Sequence, residues 1–335
     1  MEKERARRKD VAELAGVSET VVSYVINQNR YVKQEKRERV LAAMEQLNYR
    51  PNRFARALKG KSNKHIAMLI DRIRTEAFGE LISEIERFSG SLGYLVSVSI
   101  IDNSEEFVSR IIDWQIDGVI ISSINFSAKY IQKIVDTGVP VVLMENRDYS
   151  DVKGAAKINT GLALGTQKSV RYLYDSGCKN IVYVDRISAR GHFSGMSDFR
   201  YAAYWKEMQQ LEQKPRVISH CMSITDLQDK LITEMQLKPF DGAFCRNDEV
   251  ACIVMNVLRR EGYRIPDGVS IIGVDDTTFS KVSYPTLSTL RMPREEIAKT
   301  AISLIEEHGK DGKTSCVAQF EPELILRESV KHRTH

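Results

Sequence analysis

Residues 9–27, KDVAELAGVSETVVSYVIN, carry apolar side chains at Val11, Leu14, Ala15, Val17, Val21, Val22, Val25 and Ile26. That spacing predicts two short amphipathic helices, over 10–15 and 19–27, broken at Gly16-Val17-Ser18. Gly16 permits the positive φ that such a turn needs, and Ser18 suits the N-cap of the second helix. Two helices crossing at a glycine-containing turn form a helix-turn-helix, whose second helix enters the DNA major groove. The same pattern also fits an αα-hairpin packed into a core.

Charge separates the two readings. The 335-residue chain has a net charge of +4. Residues 1–64 hold 16 Lys and Arg against 8 Asp and Glu, whereas the rest is net acidic. Positive charge concentrated on the hairpin is the electrostatic footprint of a nucleic-acid binder. With 42% hydrophobic and 28% charged residues, the composition suits a soluble globular protein of two or three domains. No apolar run approaches the ~18–20 residues of a membrane span, and no apolar stretch backs the charged start MEKERARRKD. Cys178, Cys221, Cys245, Cys252 and Cys316 are scattered, without CxxC spacing, and read as reduced thiols of a cytoplasmic protein. The six histidines form no HExxH pair, and G-x-S-x-G, P-loop and G-x-G-x-x-G motifs are missing. Neither catalysis, a cofactor nor a metal is expected.

Beyond residue 27, a helix over 34–47 with the stripe Val40, Leu41, Met44 and Leu47 can close a small three-helix core. Asn52 can cap a short segment over 53–59, which is too short to be a stable helix alone. Residues 60–64, GKSNK, form the best domain boundary. From His65 onward, strands (66–71, 94–101, 119–123, 139–144, 181–185, 217–219, 242–245, 270–276) alternate with helical stretches. This predicts two parallel sheets with a cleft facing the strands' carboxyl ends. A helix over 294–308 and short strands over 317–320 and 323–326 return to cover one or both lobes.

Several segments together resemble the lactose-repressor (LacI/GalR) family of bacterial transcription regulators. DVAELAGVS with TVVSYVIN is similar to the family's helix-turn-helix, and RERVLAAMEQLNYRPNRFARAL to its third helix and hinge. NDEVA (247–251), IPDGVSIIGVDD (265–276) and PTLSTLRMP (285–293) resemble later family segments. The resemblance implies an α/β protein: an all-α helix-turn-helix domain (1–50), a hinge helix and linker (51–64) and a two-lobed, periplasmic-binding-protein-like core (65–335). The first lobe would span 65–161 and 291–319, the second 162–290 and 320–335. It further implies a homodimeric repressor on a pseudo-palindromic double-stranded DNA operator, controlled by a small-molecule effector. RESVKHRTH has no leucine heptads, so no tetramer-forming extension is expected.

Carried over residue by residue, the DNA-facing set is Arg7, Ser18, Glu19, Thr20, Ser23, Tyr24 and Asn27. Glu19 and Thr20 would be the main base readers, as glutamate accepts from cytosine N4 and threonine meets a thymine methyl. Glu19 equally suits a helix start, where the dipole favours a carboxylate. Tyr24 stands where the family usually has arginine and cannot make a bidentate guanine contact. Arg7 and Lys33 replace the family's hydroxyl caps. In the hinge, Asn52, Arg53, Ala55, Arg56 and Leu58 match, with Leu58 as the minor-groove wedge; a buried linker position is the lesser reading of Leu58.

For the effector, Arg200 of RYAAY matches an arginine that bonds ligands, with Asn247 and Asp275 facing it. Thr75, Asp102, Ser122 and Glu145 are candidates from the first lobe. Each of these polar residues also fits a solvated loop position. Arg74, Arg147, Arg186, Arg200 and Arg246 end strands, which suggests an acidic sugar or sugar phosphate, although Asp71, Glu145, Asp148 and Asp276 could pair with them. A sugar-like effector is the leading expectation. A purine or nucleoside is the alternative, stacked on Phe193, Phe199, Tyr201 or Phe279. A solute-binding protein without a DNA role is the third.

Overall fold

The computed structural model describes residues 6–27, 30–49, 62–71, 76–311 and 317–331. The chain divides into two compact units, Met1–Asn63 and Lys64–His335.

In the first unit, α1 (Arg8–Ala15), α2 (Glu19–Asn27) and α3 (Gln34–Gln46) enclose a core of Val11, Ala12, Ala15, Val22, Val25, Val40 and Ala43. Gly16 ends α1 at φ 61°, and the turn delivers Ser18, whose Oγ accepts the Val21 N–H at 3.4 Å. Arg7 at the N-cap of α1 offers no side-chain acceptor; its backbone N–H donates to Asp10 Oδ2 at 2.6 Å. Lys33 makes no side-chain cap for α3. The stripe predicted on α3 is corrected at Leu41, which is exposed, while Ala43 enters the core. The smaller side chain lets α1 and α3 approach closely.

The second unit contains two sheets. Among the described residues the first runs β11-β5-β4-β3-β1-β2 and the second β12-β10-β9-β8-β6-β7. Strands β1 (His65–Ile70), β2 (Leu95–Ile100), β3 (Gly118–Ser122), β4 (Val141–Glu145) and β5 (Ala156–Asn159) alternate with α4 (Glu76–Ser91), α5 (Glu105–Asp113) and α6 (Ala128–Val135). The chain then winds the second sheet from β6 (Ile181–Val184), β7 (Arg216–Ile218), β8 (Gly242–Cys245), β9 (Ser270–Val274) and β10 (Ser288–Arg291). Its helices are α7 (Leu162–Asp175), α8 (Phe199–Gln210), α9 (Ile224–Leu237), α10 (Asp248–Arg260) and the short α11 (Thr278–Val282). Helix α12 (Arg294–Asp311) returns to the first sheet, β11 (Val317–Gln319) joins it, and β12 (Glu323–Ile325) joins the second.

Helices cover both faces of each sheet, which is why strands such as HIAMLI read as unbroken apolar runs. Ala67 and Leu69 face the α5–α6 layer, whereas Ile66, Met68 and Ile70 face α4 and α12. Three elements carry too little sequence signal to be predicted: β5, β10 and α11. Among the described residues pairing is parallel except for β10–β12, which is antiparallel.

Candidate functional site

On the helical unit, Ser18, Glu19 and Thr20 are exposed at the start of α2. Ser23 and Asn27 are half-buried and joined, the Asn27 amide donating to Ser23 O at 2.7 Å and Oγ at 3.1 Å. The Arg30 guanidinium lies 5.3 Å from the Tyr24 ring, a cation–π contact that makes this tyrosine part of a positive surface. Arg7 is exposed. The hinge candidates Asn52, Arg53, Ala55, Arg56 and Leu58 lie outside the described residues, as do Thr75 and Arg74.

In the core unit a cavity of about 200 Å³ opens where the carboxyl ends of both sheets face each other. That is below the ~300–1,000 Å³ of drug-sized sites and suits a single substituted ring. Asp71, Ser122, Asn146 and Thr160 reach it from the ends of β1, β3, β4 and β5, with Phe78 and Leu81 of α4 forming an apolar wall. Arg186, Arg246, Asn247 and Asp275 come from strand ends of the second sheet, Arg200 from the first turn of α8, and Arg294 from the start of α12. Hydrogen bonds tie the lobes together. Glu76 Oε1 accepts from the backbone N–H and hydroxyl of Thr278 at 2.7 and 2.6 Å, and Phe199 N–H donates to Asn146 O at 3.2 Å. The Thr278 hydroxyl holds the Glu76 carboxyl below its ordinary range.

The arginines are organised by Asp198, the buried N-cap of α8, which accepts the Arg200 N–H at 3.0 Å. Arg246 Nη1 reaches its Oδ2 at 2.5 Å, Arg186 Nη2 the same oxygen at 3.4 Å, and Arg200 Nε approaches Oδ1 at 3.7 Å. Burial opposes the Asp198 charge, yet Arg246, Arg200 and Arg186 hold its carboxyl well below the usual range. Burial likewise opposes the Arg246 charge, and Asp198 outweighs it, so Arg246 stays a firm cation. For Arg186 the balance is reversed. Burial, then the like charges of Arg246 and Arg200, push it down to about 9.

Across the cavity, Asp275 sits at φ 108° and Asp276 at φ 50°, conformations that non-glycine residues rarely adopt. The loop is over-determined, as such strain requires. Asp275 N–H donates to Leu290 O at 2.8 Å, and Arg294 donates to Asp275 O. Arg327 and Arg291 clamp Asp276 at 2.5 and 2.8 Å. Behind it, buried Asp248 accepts from Thr277 N–H, Thr277 Oγ1 and Thr289 Oγ1 at 2.8, 3.0 and 2.5 Å. Burial pushes the Asp248 carboxyl up to about 7. A Cβ at Gly273 would meet Asp248 Oδ1 at 2.3 Å, so glycine is what lets the carboxylate in.

Of the effector candidates, the fold brings together Ser122, Arg200, Asn247 and Asp275. Asp102 and Glu145 are corrections. Asp102 follows the edge strand β2, is exposed and accepts from Ser104 Oγ at 3.1 Å. Glu145 sits on β4 between Met144 and Asn146, which line the cavity, and strand alternation turns it to the opposite face. The expected stacking aromatics also lie elsewhere. Phe193 packs on His220 with ring centres 4.7 Å apart, Tyr201 on Tyr183 at 5.5 Å, Phe279 is 47% exposed, and Phe199 does not line the cavity. Arg147 donates to Phe126 O and lies over Tyr149 at 4.3 Å, outside the cavity. Asp198 was not anticipated, although an aspartate just before a predicted helix start is an N-cap signal. Asp71, Asn146, Thr160 and Arg294 had no local signature.

The sequence pattern of bacterial regulatory proteins of the lacI family matches residues 9–52, and that of the periplasmic binding protein-like domain matches 170–330. The chain thus joins a lacI-family helix-turn-helix domain to a periplasmic-binding-like domain. The HTH-type transcriptional repressor PurR of Vibrio parahaemolyticus is 29% identical over 336 residues, covering 96% of this chain and 98% of the relative. PurR of Histophilus somni is 28% identical over 342 residues, with the same coverage. The lac repressor dimer bound to operator and the anti-inducer ONPF superposes with a TM-score of 0.83 at 24% identity, over 97% of this chain and 99% of that one. At that identity the likeness establishes the fold. This chain is therefore a transcription regulator with a helix-turn-helix DNA-binding unit and a periplasmic-binding-like core of two parallel-sheet lobes. Among the described residues no helix is long and apolar enough to cross a membrane.

Proposed function

We propose that this regulator is a cytoplasmic repressor that binds a pseudo-palindromic operator as a homodimer and changes its operator affinity when a small ligand occupies the cavity between its lobes. Residues 1–50 act as the reading head, 51–64 as the hinge and 65–335 as the ligand-binding core. The observation that carries this reading is a basic helix-turn-helix, with Glu19 and Thr20 exposed at the start of α2, on the same chain as a polar cavity bridged by both lobes. Arg7, Ser23, Tyr24 and Asn27 complete the reading surface, and Asn52, Arg53, Ala55, Arg56 and Leu58 extend it into the minor groove. An exposed apolar patch of Phe279, Val282 and Tyr284 supports the dimer.

The relatives named PurR make a purine the first ligand class to test. A sugar-like ligand is the second reading, favoured because Ser122, Asn146, Thr160, Asn247 and Asp275 line the cavity while the four expected stacking aromatics do not. Selected-site binding followed by operator titration in the presence of hypoxanthine, guanine or a sugar panel tests the proposal. Recovery of a two-fold symmetric site whose affinity shifts with a ligand, typically by ~5–150-fold, is expected. Deleting residues 1–60 should abolish operator binding and leave ligand stabilisation of the core. Failure to select any DNA site would overturn the reading.

A further inference from the structure

The three arginines at the cavity are not equivalent. Arg246 is the most firmly engaged: its Nη1 lies 2.5 Å from Asp198 Oδ2 and 2.6 Å from Ser194 Oγ, with Tyr183 OH at 3.4 Å. Arg186 is only 8% exposed; among the described residues its Nε has no hydrogen-bond acceptor and its one anionic neighbour within 4 Å is Asp198, at 3.4 Å. Arg200 donates from Nη1 to Arg246 O at 3.2 Å, and its buried Nε also lacks a hydrogen-bond acceptor. The acids in this corner are Asp198 and Asp185, and Asp185 is engaged by Ser194 N–H and Oγ at 2.8 and 2.5 Å. Three guanidiniums therefore face two carboxylates, leaving one buried positive charge with unused donors. A buried charge and buried donors are expensive without partners.

We propose, resting on the ligand-controlled reading above, that the ligand carries one carboxylate or phosphate group, held in a fork between Arg186 and Arg200 with Arg246 and Asp198 as their rigid backing. Guanidinium forks match planar or tetrahedral oxyanions through paired N–H donors. Asp71 and Asp275 line the cavity as well and repel an anion, so they fix the ligand's orientation: anion toward α8, hydroxyl or N–H donors toward the aspartates. Arg186 is thereby a specificity-determining residue, and Arg246 a positioning one.

The test uses the full-length protein. Melting temperature and calorimetric affinity are measured with matched probes: hypoxanthine and glucose as neutral rings, and glucuronate, glucose 6-phosphate, inosine 5′-monophosphate and inorganic phosphate as anions. At least one anionic ring should bind about tenfold or more tightly than its neutral partner, and inorganic phosphate should raise the melting temperature over chloride at equal ionic strength. Arg186→Gln should erase the preference while leaving the unliganded melting temperature unchanged or higher, since it removes repulsion from Arg246 and Arg200. Arg186→Lys keeps charge but no fork and should retain a weakened preference, which supplies the readout if the glutamine variant does not fold. Neutral rings binding as well as anionic ones, or Arg186→Gln keeping the preference, would overturn the anion seat. If neutral rings alone shift operator affinity, the repressor reading stands and the anion seat fails. If no probe stabilises the protein or shifts operator affinity, both fail.

Discussion

Over five strands the first sheet (β5-β4-β3-β1-β2) and the second (β10-β9-β8-β6-β7) have the same winding, the sixth strand being parallel in one (β11) and antiparallel in the other (β12), and both sheets end at one cavity. The walls they contribute are unlike. From the first sheet and its helices come Phe78, Leu81, Ile124, Met144 and Ile297, with the neutral polar tips Ser122, Asn146 and Thr160. The second contributes Arg186, Arg200, Arg246 and Asp275 on a strained, clamped loop. A shared winding thus aims strand ends at one place, and side-chain chemistry divides the labour. The first lobe supplies most of the apolar wall together with Asp71 and Arg294, and the second concentrates the three arginines around Asp198.

The comparison is broken most severely by removing the counter-ion of the charged wall. Asp198→Asn leaves buried Arg186 and Arg246 and half-buried Arg200 with Asp185 as the remaining acid beside them, and should cost about 3–5 kcal/mol of core stability, read by denaturant unfolding. The sign with pH follows from the depressed carboxyl. Its contribution is full above the ordinary aspartate range near 3.9 and is lost as pH falls below it, so the variant should flatten the acid limb of stability. An unchanged acid limb would deny Asp198 that role.

A middle-sized effect should be shared by the lobes, because each uses a glycine to seat a helix against its sheet. A Cβ at Gly118 would meet Ile305 Cγ2 at 2.5 Å, and one at Gly165 would meet Leu290 Cδ2 at 2.5 Å. Both partners are buried, so Gly118→Ala and Gly165→Ala should each destabilise by roughly 1–3 kcal/mol. Unequal unfolding midpoints would show that one lobe relaxes where the other cannot.

The smallest effect concerns the link between lobes. Glu76→Gln keeps the acceptor oxygen but weakens its hydrogen bonds from Thr278. In this partly solvated position the loss should be a few tenths to about 1 kcal/mol, seen as a severalfold weaker ligand affinity by calorimetry. No change would mean that the lobes close without this contact.

Local signals carried much of the architecture. Gly16 and Ser18 announce the turn between α1 and α2 because a positive φ and an N-cap hydroxyl act within a few residues. The strands of the core announce themselves as apolar runs because both faces of each sheet are covered. β5, β10 and α11 are too short for periodicity to register. The cavity was less legible. Asp102 and Glu145 end strands as Ser122 does, and nothing local distinguishes them. Glu145 is excluded by the pleat, and Asp102 by the edge position of β2. The strand-end arginines suggested an anion, but only the packed side chains show that Arg147 points elsewhere and that Arg246 is anchored through Nη1 to Asp198 and Ser194.

The sequence by itself thus determined the two-unit plan, the helix-turn-helix and the strand–helix alternation, because each rests on contacts between near neighbours in the chain. Tertiary structure alone decided which strand ends share the cavity, which acid balances the arginines and which guanidinium keeps free donors. Sheet order sets β1 beside β3 and β8 beside β9, the facing of the two sheets joins their ends across up to about two hundred residues, and the balance of buried charge exists only once those ends have met.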